Sequence, residues 1–459
     1  MTLPKTLTCF KTYDVRGKVG VELNEDIAFR IGRATVQSLA AGSVVVGFDA
    51  RKTSVKLEKA LTEGICIAGA NVLKIGLAGT EEMYNAVSHF NADAGIEVTA
   101  SHNPIDYNGF KIVKSGSKPL SAKEFAEIKH LSEENIFLTF QNKGFVSDVK
   151  LTAREAYLAK LLNFIDVKKL KPLKVIINSG NGAAGPVIDA LSKVLVAKGV
   201  STDFVLVHHQ PNSSFPNGIP NPLLEENRLA TVNALKREKA DFGVAFDGDF
   251  DRCFFFDEFG NFIAGEYVVG TLAQIFLNKE KGATIIHDPR VIWNIIDIVK
   301  TNCGKAVASN TGHAFVKQAM RTENAVYGGE MSAHHYFRDF YYCDSGMIPW
   351  LMIWEFLSMQ DVCLSEIISK RKMLFPSSGE INFIVSNPDD CIGRLKDFYA
   401  HNSIEICEDD GLSMVFEKWR FNLRKSNTEP LIRLNIETLG DQGLLRKKRT
   451  ELNSLLASE

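Results

Sequence analysis

Several features that would place a chain in a specialised class are missing from this sequence. No stretch approaches the roughly 18 uninterrupted apolar residues that indicate a membrane-spanning helix. The opening run, MTLPKTLTCFKTYD, holds no apolar core of signal-peptide length. The net charge is only −2 and no long basic run occurs, so nothing favours a nucleic-acid binder. We therefore expect neither a membrane span nor a nucleic-acid partner.

Regular cysteine spacing is also missing. The eight cysteines are scattered along the chain, and none of them forms a C-x-x-C pair. Zinc sites and disulfide frameworks usually show such spacing, so we expect neither. Unpaired cysteines are typical of a reducing compartment. The pattern predicts a cytoplasmic protein whose cysteines serve as small buried hydrophobic residues.

Short apolar runs alternate with helical patterns through most of the chain. The 459 residues suffice for about three or four domains. The runs at 43–49, 173–178 and 283–287 are each followed by a turn signal and then a helical pattern. Such runs are typical of strands that are buried on both faces of a parallel sheet. The pattern therefore predicts an α/β fold.

One of these strand patterns occurs three times. Residues 240–249 resemble residues 92–101, because Ala, Asp and Gly coincide and apolar residues then alternate in step. A weaker third copy lies at 324–332. The copies are too far apart for a solenoid, which leaves duplicated α/β domains or chance similarity between buried strands. If the domains are duplicated, the loops TASHNP, DGDFDR and GEMSAHHYF follow equivalent strands and would face one cleft.

The C-terminal part has a different pattern. Ile432, Leu434 and Ile436 alternate with polar residues at 433, 435 and 437, as in a half-buried antiparallel strand. A closing helix is predicted from the leucines Leu444, Leu445, Leu452, Leu455 and Leu456. We expect a small α+β domain here.

The loop DGDFDR predicts a metal site. Asp247, Asp249 and Asp251 follow an apolar strand, and a hard divalent cation would relieve the repulsion between their carboxylates. An EF-hand is rejected because Arg252 stands at loop position 6, where that loop needs glycine. The following residues also read as a hairpin that turns at 258–261. The alternatives are therefore a strand-end Mg²⁺ site and a solvated acidic turn.

A glycine-rich segment suggests a rival function. Gly180, Gly182 and Gly185 match the G-x-G-x-x-G fingerprint of dinucleotide-binding enzymes. That fingerprint also needs an acidic residue at the end of the next strand, but here the strand ends in His208 and His209. We interpret the glycines as a tight strand-to-helix turn, and an NAD-dependent dehydrogenase remains the alternative.

Three further loops are rich in polar side chains. RKSNTEP, at 424–430, gathers donors that suit a phosphate, although it also suits a hairpin turn. GEMSAHHYF offers carboxylate and hydroxyl groups that pair with sugar hydroxyls. Its adjacent histidines cannot point the same way on a strand, so at most one is catalytic. Ser101 in TASHNP, taken alone, favours a turn residue or a helix cap over a nucleophile.

Taken together and in this order, the four loops resemble those of the α-D-phosphohexomutase superfamily. FKTYDVRG, NSGNGAAGP and FPNGIPNPL add a likeness to its bacterial phosphomannomutase branch. The resemblance covers essentially the whole chain. It implies three similar mixed α/β domains and a smaller, mobile α+β domain around a central cleft. We expect the serine loop within 1–150, the metal loop within 151–255, the sugar loop within 256–368 and the phosphate loop within 369–459.

The resemblance also assigns roles to particular residues. Ser101 becomes the phosphoserine and a further metal ligand, on an exposed loop where its replacement leaves folding intact. Mg²⁺ lies on the three aspartates, and Arg252 stabilises the phosphoryl oxygens. The remaining matches are Arg16, Lys111 and His334 for proton transfer or charge support, Glu330 and Ser332 for sugar hydroxyls, and Arg424, Ser426, Asn427 and Thr428 for the non-reacting phosphate.

The implied reaction converts mannose 6-phosphate to mannose 1-phosphate through a hexose 1,6-bisphosphate, which is both intermediate and activator. It would feed GDP-mannose and surface polysaccharide synthesis, in a monomer or homodimer. A phosphoglucomutase or a dual-specificity hexose mutase is the alternative. Two departures from many relatives stand out. Phe250 replaces a glycine between the second and third aspartates, where we expect it to pack without disturbing them. The run FPNGIPNP also lacks a histidine before PNP.

Overall fold

The computed structural model describes residues 6–425 and 431–457. Its backbone forms two compact units: 1–262 with 339–361, and 263–338 with 362–459. None of the helices in the described part of the chain has the length and apolarity that a bilayer crossing needs.

The first unit begins with a mixed sheet that is flanked by helices. Its strands are β1 (Val15–Lys18), β2 (Ser43–Phe48), β3 (Asn71–Leu77), β4 (Ala94–Val98), β5 (Tyr107–Lys114), β6 (Lys118–Pro119) and β7 (Val146–Asp148). The helices are α1 (Glu25–Leu39), α2 (Ser54–Ile67), α3 (Thr80–His89) and α4 (Ala122–Glu134). The sheet order is β1-β5-β4-β2-β3-β7, and β6 pairs with β5. β4 therefore lies between parallel β2 and antiparallel β5.

Capping residues explain where two of these helices begin. Asn24 precedes α1, and its Oδ1 accepts a hydrogen bond from the Ile27 amide at 2.9 Å. Ser121 precedes α4 in a capping box, in which its hydroxyl and the Glu124 carboxylate each accept from the other's backbone N–H. Side-chain oxygens at these positions satisfy amides that have no partner within the helix.

The first unit also contains a second mixed sheet with its own helices. Its elements are α5 (Lys150–Leu162), β8 (Lys174–Asn178), α6 (Ala184–Ala197), β9 (Asp203–Val207), α7 (Leu229–Glu238), β10 (Phe242–Phe246), β11 (Cys253–Asp257) and β12 (Phe262–Ile263). The sheet order is β12-β11-β10-β8-β9. β10 lies between parallel β8 and antiparallel β11, and the turn between β11 and β12 is the predicted hairpin.

A third α/β region follows. Its elements are α8 (Gly265–Lys279), β13 (Thr284–His287), α9 (Trp293–Thr301), β14 (Lys305–Ala308), α10 (His313–Thr322), β15 (Tyr327–Gly329), β16 (His335–Phe337), β17 (Cys343–Asp344), α11 (Met347–Ser358) and α12 (Leu364–Leu374). β15 lies between parallel β13 and antiparallel β16. β17 and α11 belong to the first unit, and the other elements belong to the second.

The three echoed segments therefore form equivalent strands. β4, β10 and β15 each have a parallel neighbour on one side and an antiparallel neighbour on the other. The loops that follow these strands are the serine loop, which begins at 99, the aspartate loop, which begins at 247, and the GEMS loop, which begins at 330. The predicted duplication of α/β domains and the mixed α/β fold class are confirmed.

The C-terminal region is an antiparallel sheet with helices. Its elements are β18 (Ser377–Ile384), α13 (Pro388–Tyr399), β19 (Glu405–Cys407), β20 (Leu412–Val415), β21 (Trp419–Lys425), β22 (Leu431–Thr438) and α14 (Gln442–Ala457). The sheet order is β18-β22-β21-β20-β19. Ile432, Leu434 and Ile436 form a core with Leu445, Leu452 and Leu456 of α14, as the leucine pattern predicts.

The half-buried pattern predicted for β22 is wrong on its polar face. Asn435 and Glu437 are both 1% exposed, so this face is covered within the second unit. The Glu437 carboxylate accepts from the amides of Ile292 (2.8 Å) and Trp293 (3.0 Å), at the start of α9. A carboxylate at a helix N-terminus satisfies amides without helical partners, which is why a charged residue occupies this buried face.

Candidate active site

The serine loop turns sharply where β4 ends. Ser101 adopts the left-handed region, with a φ of 48°, and is 2% exposed. Its amide donates to the Thr99 hydroxyl oxygen at 2.8 Å, and the Thr99 hydroxyl donates to Asp49 Oδ2 at 2.7 Å. The expectation of a surface-exposed serine is therefore wrong for Ser101 itself, which neighbouring polar residues hold in a buried position, although the loop is exposed from 104 to 106.

The guanidinium of Arg51 holds the backbone of the serine loop in place. Arg51 is 2% exposed and donates to the carbonyl oxygens of Ser101 (2.9 Å) and Asn103 (2.5 Å). It also donates to the carbonyls of Pro104 (2.8 Å) and Tyr107 (3.0 Å). Arg51 thereby fixes the path of the backbone around the serine. Arg51 is not among the residues predicted from the sequence, where its only signal is a position just after the carboxyl end of β2.

The aspartate loop follows β10 and forms an acidic cluster. Ligand oxygens of Asp247, Asp249 and Asp251 lie within 4.8 Å of one another, and all three residues are buried. Asp249 Oδ1 is buried without a hydrogen-bond partner among the described residues. Burial raises the pKa of Asp247 to about 7, although Arg252 opposes this effect. The cluster thus gathers acidic oxygens in a place that disfavours their charge unless a cation is near.

The serine hydroxyl meets this cluster directly. Ser101 Oγ donates to Asp247 Oδ2 at 2.7 Å, and Arg252 Nε donates to the same oxygen at 2.8 Å. His102 Nδ1 lies 3.0 Å from Ser101 Oγ and also contacts the Arg252 guanidinium. The structure therefore brings together a hydroxyl, a carboxylate and a guanidinium from loops that are far apart in sequence. His102 is a further neighbour of the serine to which the sequence analysis gave no role.

Glycines allow the serine loop, the aspartate loop and the glycine-rich turn to approach one another closely. A Cβ at Gly248 would lie 2.6 Å from the Ser101 carbonyl oxygen, and one at Gly182 would lie 2.6 Å from the Gly248 carbonyl oxygen. The amide of Ala183 donates to that same Gly248 oxygen at 3.1 Å. The glycine-rich turn is therefore the strand-to-helix connection predicted for it, and it supports the aspartate loop. Phe250, in that loop, is fully buried as predicted and adopts a φ of 47°.

Lysine and hydroxyl donors also reach the aspartates. Lys111 Nζ lies 2.7 Å from Asp249 Oδ2 and contacts Asp251 Oδ2. Burial alone would lower the pKa of Lys111, but these two carboxylates outweigh it and raise that pKa above its ordinary value. Thr80, at the start of α3, donates its hydroxyl to Asp249 Oδ2 at 2.5 Å. Lys111 is thus held as an ammonium, which suits charge support better than proton abstraction.

Arg16 contacts the serine loop at Ala100 and Asn103. Its guanidinium donates to Asp14 Oδ2 at 2.8 Å and to Asn103 Oδ1 at 2.5 Å. It also donates to the Ala100 carbonyl at 3.3 Å. Burial lowers the pKa of Arg16, but Asp14 and Asp249 outweigh it, so the pKa lies above its ordinary value. Arg16 therefore adds a permanent positive charge next to the serine loop.

The second unit carries the GEMS loop. The Glu330 carboxylate accepts from the Gly312 amide at 2.9 Å and from the Tyr336 hydroxyl at 2.6 Å. Burial raises the pKa of Glu330, although Arg290 and the Tyr336 hydroxyl oppose this effect. The Ser332 hydroxyl lies 3.2 Å from His334 Nδ1.

The two adjacent histidines differ, as the strand pattern predicts. The His334 side chain is 24% exposed and lies 3.8 Å from Glu330. His335 is fully buried, and its Nδ1 lies 2.8 Å from the Tyr327 hydroxyl. Burial lowers the pKa of His335 to about 3, so it stays neutral at physiological pH. Of the two, His334 has the accessible ring.

Guanidinium groups gather elsewhere in the second unit. Arg424 lies on β21, 3.9 Å from Asp410, and burial together with nearby Arg290 lowers its pKa. Arg290 donates to Asp288 at 2.8 Å and to Glu380 at 3.2 Å. The sequence analysis did not single out Arg290, which follows β13 with no motif around it. Ser426, Asn427 and Thr428 lie outside the described residues.

The sequence-predicted residues thus fall into two groups. The first unit brings together Ser101, Asp247, Asp249, Asp251, Arg16, Lys111 and Arg252. The second unit holds Glu330, Ser332 and His334 on one loop and Arg424 on β21.

Comparisons with known proteins agree with this arrangement. Models for the phosphoglucomutase/phosphomannomutase α/β/α domains I, II and III match residues 7–139, 155–260 and 264–373. The chain is 54% identical to a phosphomannomutase of Vibrio cholerae and 52% identical to one of Escherichia coli K12, over 98% of this chain and 99% of each relative.

A solved structure gives the same result. A phosphoglucomutase/phosphomannomutase family protein from Burkholderia thailandensis has a TM-score of 0.87 at 28% identity, covering 99% of this chain and 98% of that one. The resemblance drawn from the four loops is confirmed. This chain belongs to the phosphoglucomutase/phosphomannomutase family.

Proposed function

We propose that this enzyme interconverts mannose 6-phosphate and mannose 1-phosphate through a phosphoserine at Ser101. The observation that carries the proposal is the 2.7 Å hydrogen bond from the Ser101 hydroxyl to Asp247, within the acidic cluster. A serine there stores a phosphoryl group beside the charges that transfer requires. Phospho-Ser101 donates to the free hydroxyl of the sugar and gives a hexose 1,6-bisphosphate. This intermediate reorients and returns its other phosphoryl group to Ser101.

The acidic cluster suits Mg²⁺. Three buried carboxylates supply the hard oxygen ligands that this ion takes, and the phosphoserine would add another oxygen. The buried Asp249 Oδ1 without a hydrogen-bond partner supports this fit, since such an oxygen is costly unless a cation binds it. When bound, the ion draws negative charge from the transferring phosphoryl group. The fit concerns a divalent cation with oxygen ligands, and Mg²⁺ is our proposal for its identity.

The neighbouring cations of the first unit prepare the serine for transfer. Arg252 reaches Asp247 at 2.8 Å and is 3% exposed, so its guanidinium is held rigidly next to the hydroxyl. We assign it to the equatorial phosphoryl oxygens, where fixed positive charge stabilises the transition state. Arg16 and Lys111 supply further positive charge. We assign proton exchange with the sugar hydroxyl to His334, whose pair with Glu330 would orient its ring.

Recognition of the substrate falls to the second unit in this proposal. Glu330 and Ser332 bind sugar hydroxyls, because a carboxylate and a hydroxyl accept and donate the bonds that a sugar offers. The non-reacting phosphate is bound by Arg424 together with Ser426, Asn427 and Thr428. Arg424 and Arg290 lie near each other, which supports an anion site there, although Asp410, Asp288 and Glu380 partly balance their charge.

Mannose is the sugar that the relatives favour. The two relatives at 54% and 52% identity are both named phosphomannomutase, and glucose phosphate has no stronger support. The dehydrogenase alternative fails, because the backbone of Gly248 lies against the glycine turn that a dinucleotide would need. We further propose that the product feeds GDP-mannose and surface polysaccharide synthesis in the cytoplasm. The eight free cysteines are consistent with a reducing compartment.

A coupled assay of Ser101→Ala tests the proposal. We expect wild-type turnover to need a hexose 1,6-bisphosphate and a divalent cation, with mannose 1-phosphate preferred over glucose 1-phosphate. Ser101→Ala should lower kcat by at least about 10⁴-fold, since its phosphoryl acceptor is gone. Circular dichroism and thermal melting would show that the variant folds. A folded variant with wild-type turnover would contradict the phosphoserine role.

A further inference from the structure

Glu97 is a buried carboxyl group that the proposed reaction does not use. It lies on β4, two residues before Thr99, and is 0% exposed. Neither of its carboxyl oxygens has a hydrogen-bond partner among the described residues. Its neighbours Ile96 and Val98, on the other face of the strand, belong to the hydrophobic core. An ionised carboxylate is strongly disfavoured in such a place unless a cation pairs with it.

Strand register points Glu97 toward Lys111. The two residues are direct partners in the antiparallel pair of β4 and β5, so their side chains share one face of the sheet. On the other side, Gly47 is the partner of Glu97 in β2. A Cβ at Gly47 would clash with the Glu97 carboxyl oxygen, so this glycine leaves the space that the carboxyl group fills.

Lys111 is the cation with the largest effect on the Glu97 carboxyl group. The charged groups around Glu97 are Asp49 after β2, Glu82 on α3 with its partner Arg154 from α5, Asp249 in the aspartate loop and Lys111 on β5. Burial raises the pKa of Glu97 well above its ordinary value. The nearby carboxylates raise that pKa further, and Lys111 opposes them. Glu97 is therefore neutral while Lys111 stays on the aspartates.

A divalent cation on the aspartates competes with Lys111. The ammonium lies 2.7 Å from Asp249 Oδ2 and also contacts Asp251. A cation that takes those oxygens repels the ammonium and leaves it in need of another anionic partner. Glu97, opposite Lys111 in the next strand, and Asp344 are the other carboxyl groups near it. Glu97 is the one on the same sheet face with neither oxygen hydrogen-bonded among the described residues.

We propose that Glu97 is a positioning residue that takes over the Lys111 ammonium when a divalent cation binds the aspartates. The inference rests on the proposed metal site. In the exchange, Asp249 gives up the ammonium and gains the metal ion. The Glu97 carboxyl group releases one proton to solvent, and the resulting carboxylate pairs with Lys111, which keeps its proton. Binding of the cation is thereby linked to proton release.

Isothermal titration calorimetry with Mg²⁺ tests this exchange in the dephosphorylated full chain. Titrations at pH 7 in two buffers of different ionisation enthalpy count the protons released. We expect the wild type to release about one proton more per bound ion than Glu97→Gln, because Asp247, with a pKa of about 7, contributes equally in both proteins. Glu97→Gln should bind Mg²⁺ about tenfold more weakly. Lys111→Met should bind Mg²⁺ more tightly than the wild type, because no ammonium has to be displaced.

The double variant separates positioning from a structural role. In the Lys111→Met background, Glu97→Gln should change Mg²⁺ affinity by less than about twofold. An equal tenfold loss in both backgrounds would mean that Glu97 only supports the fold, and it would overturn the inference. Wild-type binding without proton release would overturn it even if Glu97→Gln failed to fold. Mg²⁺ binding that survives Asp249→Asn unchanged would overturn the metal site itself, and the inference with it.

Discussion

The loops after β10 and β15 occupy equivalent positions, yet their buried carboxylates differ in what satisfies them. After β10, Asp249 keeps one oxygen without a hydrogen-bond partner among the described residues, and its other oxygen accepts from Lys111 and Thr80. After β15, both oxygens of Glu330 accept hydrogen bonds, from Gly312 and Tyr336. The same strand end thus presents, in one loop, an acidic cluster that could hold a metal ion and, in the other, a carboxylate whose two oxygens already have donors.

This difference separates chemistry from recognition. Carboxylates without enough donors attract a divalent ion, whose charge then acts on phosphate. A carboxylate held by an amide and a hydroxyl is rigid, and its spare lone pairs accept bonds from a sugar. Domain duplication therefore supplies one backbone geometry, and the side chains after each strand decide the function of the loop.

Among the variants that test this comparison, Asp249→Asn should cause the largest loss of activity. Loss of one anionic ligand should lower kcat by about 10³-fold and abolish the dependence of the remaining activity on Mg²⁺. Steady-state kinetics across a Mg²⁺ titration measures both. Asp257→Asn, at the last residue of β11, is the matched control and should retain activity and metal dependence. Unchanged metal dependence in Asp249→Asn would end the distinction between the two loops.

Glu330→Gln should have a smaller effect of a different kind. The amide keeps the shape of the side chain but weakens acceptance of sugar hydroxyls, so kcat/KM should fall about 10²-fold. The Mg²⁺ concentration that gives half-maximal activity should stay at the wild-type value. If Glu330→Gln changed the Mg²⁺ concentration that gives half-maximal activity, the GEMS loop would take part in metal binding. The distinction between the two loops would then be wrong.

Arg424→Ala should give the smallest change and extend the comparison to β21. Arg424 is one of the residues proposed to bind the non-reacting phosphate. Loss of its guanidinium should raise KM about tenfold and leave kcat within about threefold of the wild type. Arg446→Ala, on α14, provides a matched loss of positive charge outside the predicted site. A fall in kcat with unchanged KM would show that Arg424 acts in transfer rather than in anchoring.

Much of this could be predicted from the sequence because strand ends leave a clear pattern. The three echoed segments share one pattern of apolar residues, and the polar loop follows each strand directly. Asp247 is predicted from its own loop, since polar residues after an apolar run mark the ligand edge of an α/β sheet. Ser101 alone indicates a turn, and its role follows only from the resemblance carried by the four loops together. The meeting of Asp247 and Ser101 at 2.7 Å is the outcome that this pattern implies.

Residues without a repeating pattern were harder to predict. Arg51 is a single arginine after β2, and its hydrogen bonds go to backbone carbonyls that only the folded loop brings together. Arg290 likewise gains its role from partners far along the chain, such as Glu380. Glu437 alternates like a solvent-facing residue, but it is buried against the start of α9. Local sequence carries no record of which polar face another element will cover.

The central claim is that Ser101 stores the phosphoryl group, and mass spectrometry tests it most directly. Wild-type protein incubated with Mg²⁺ and mannose 1,6-bisphosphate should gain one phosphoryl group, on the peptide that contains Ser101. Ser101→Ala treated in the same way should gain none. A phosphoryl group on another residue, or wild-type turnover with no phosphorylated protein at all, would contradict the account.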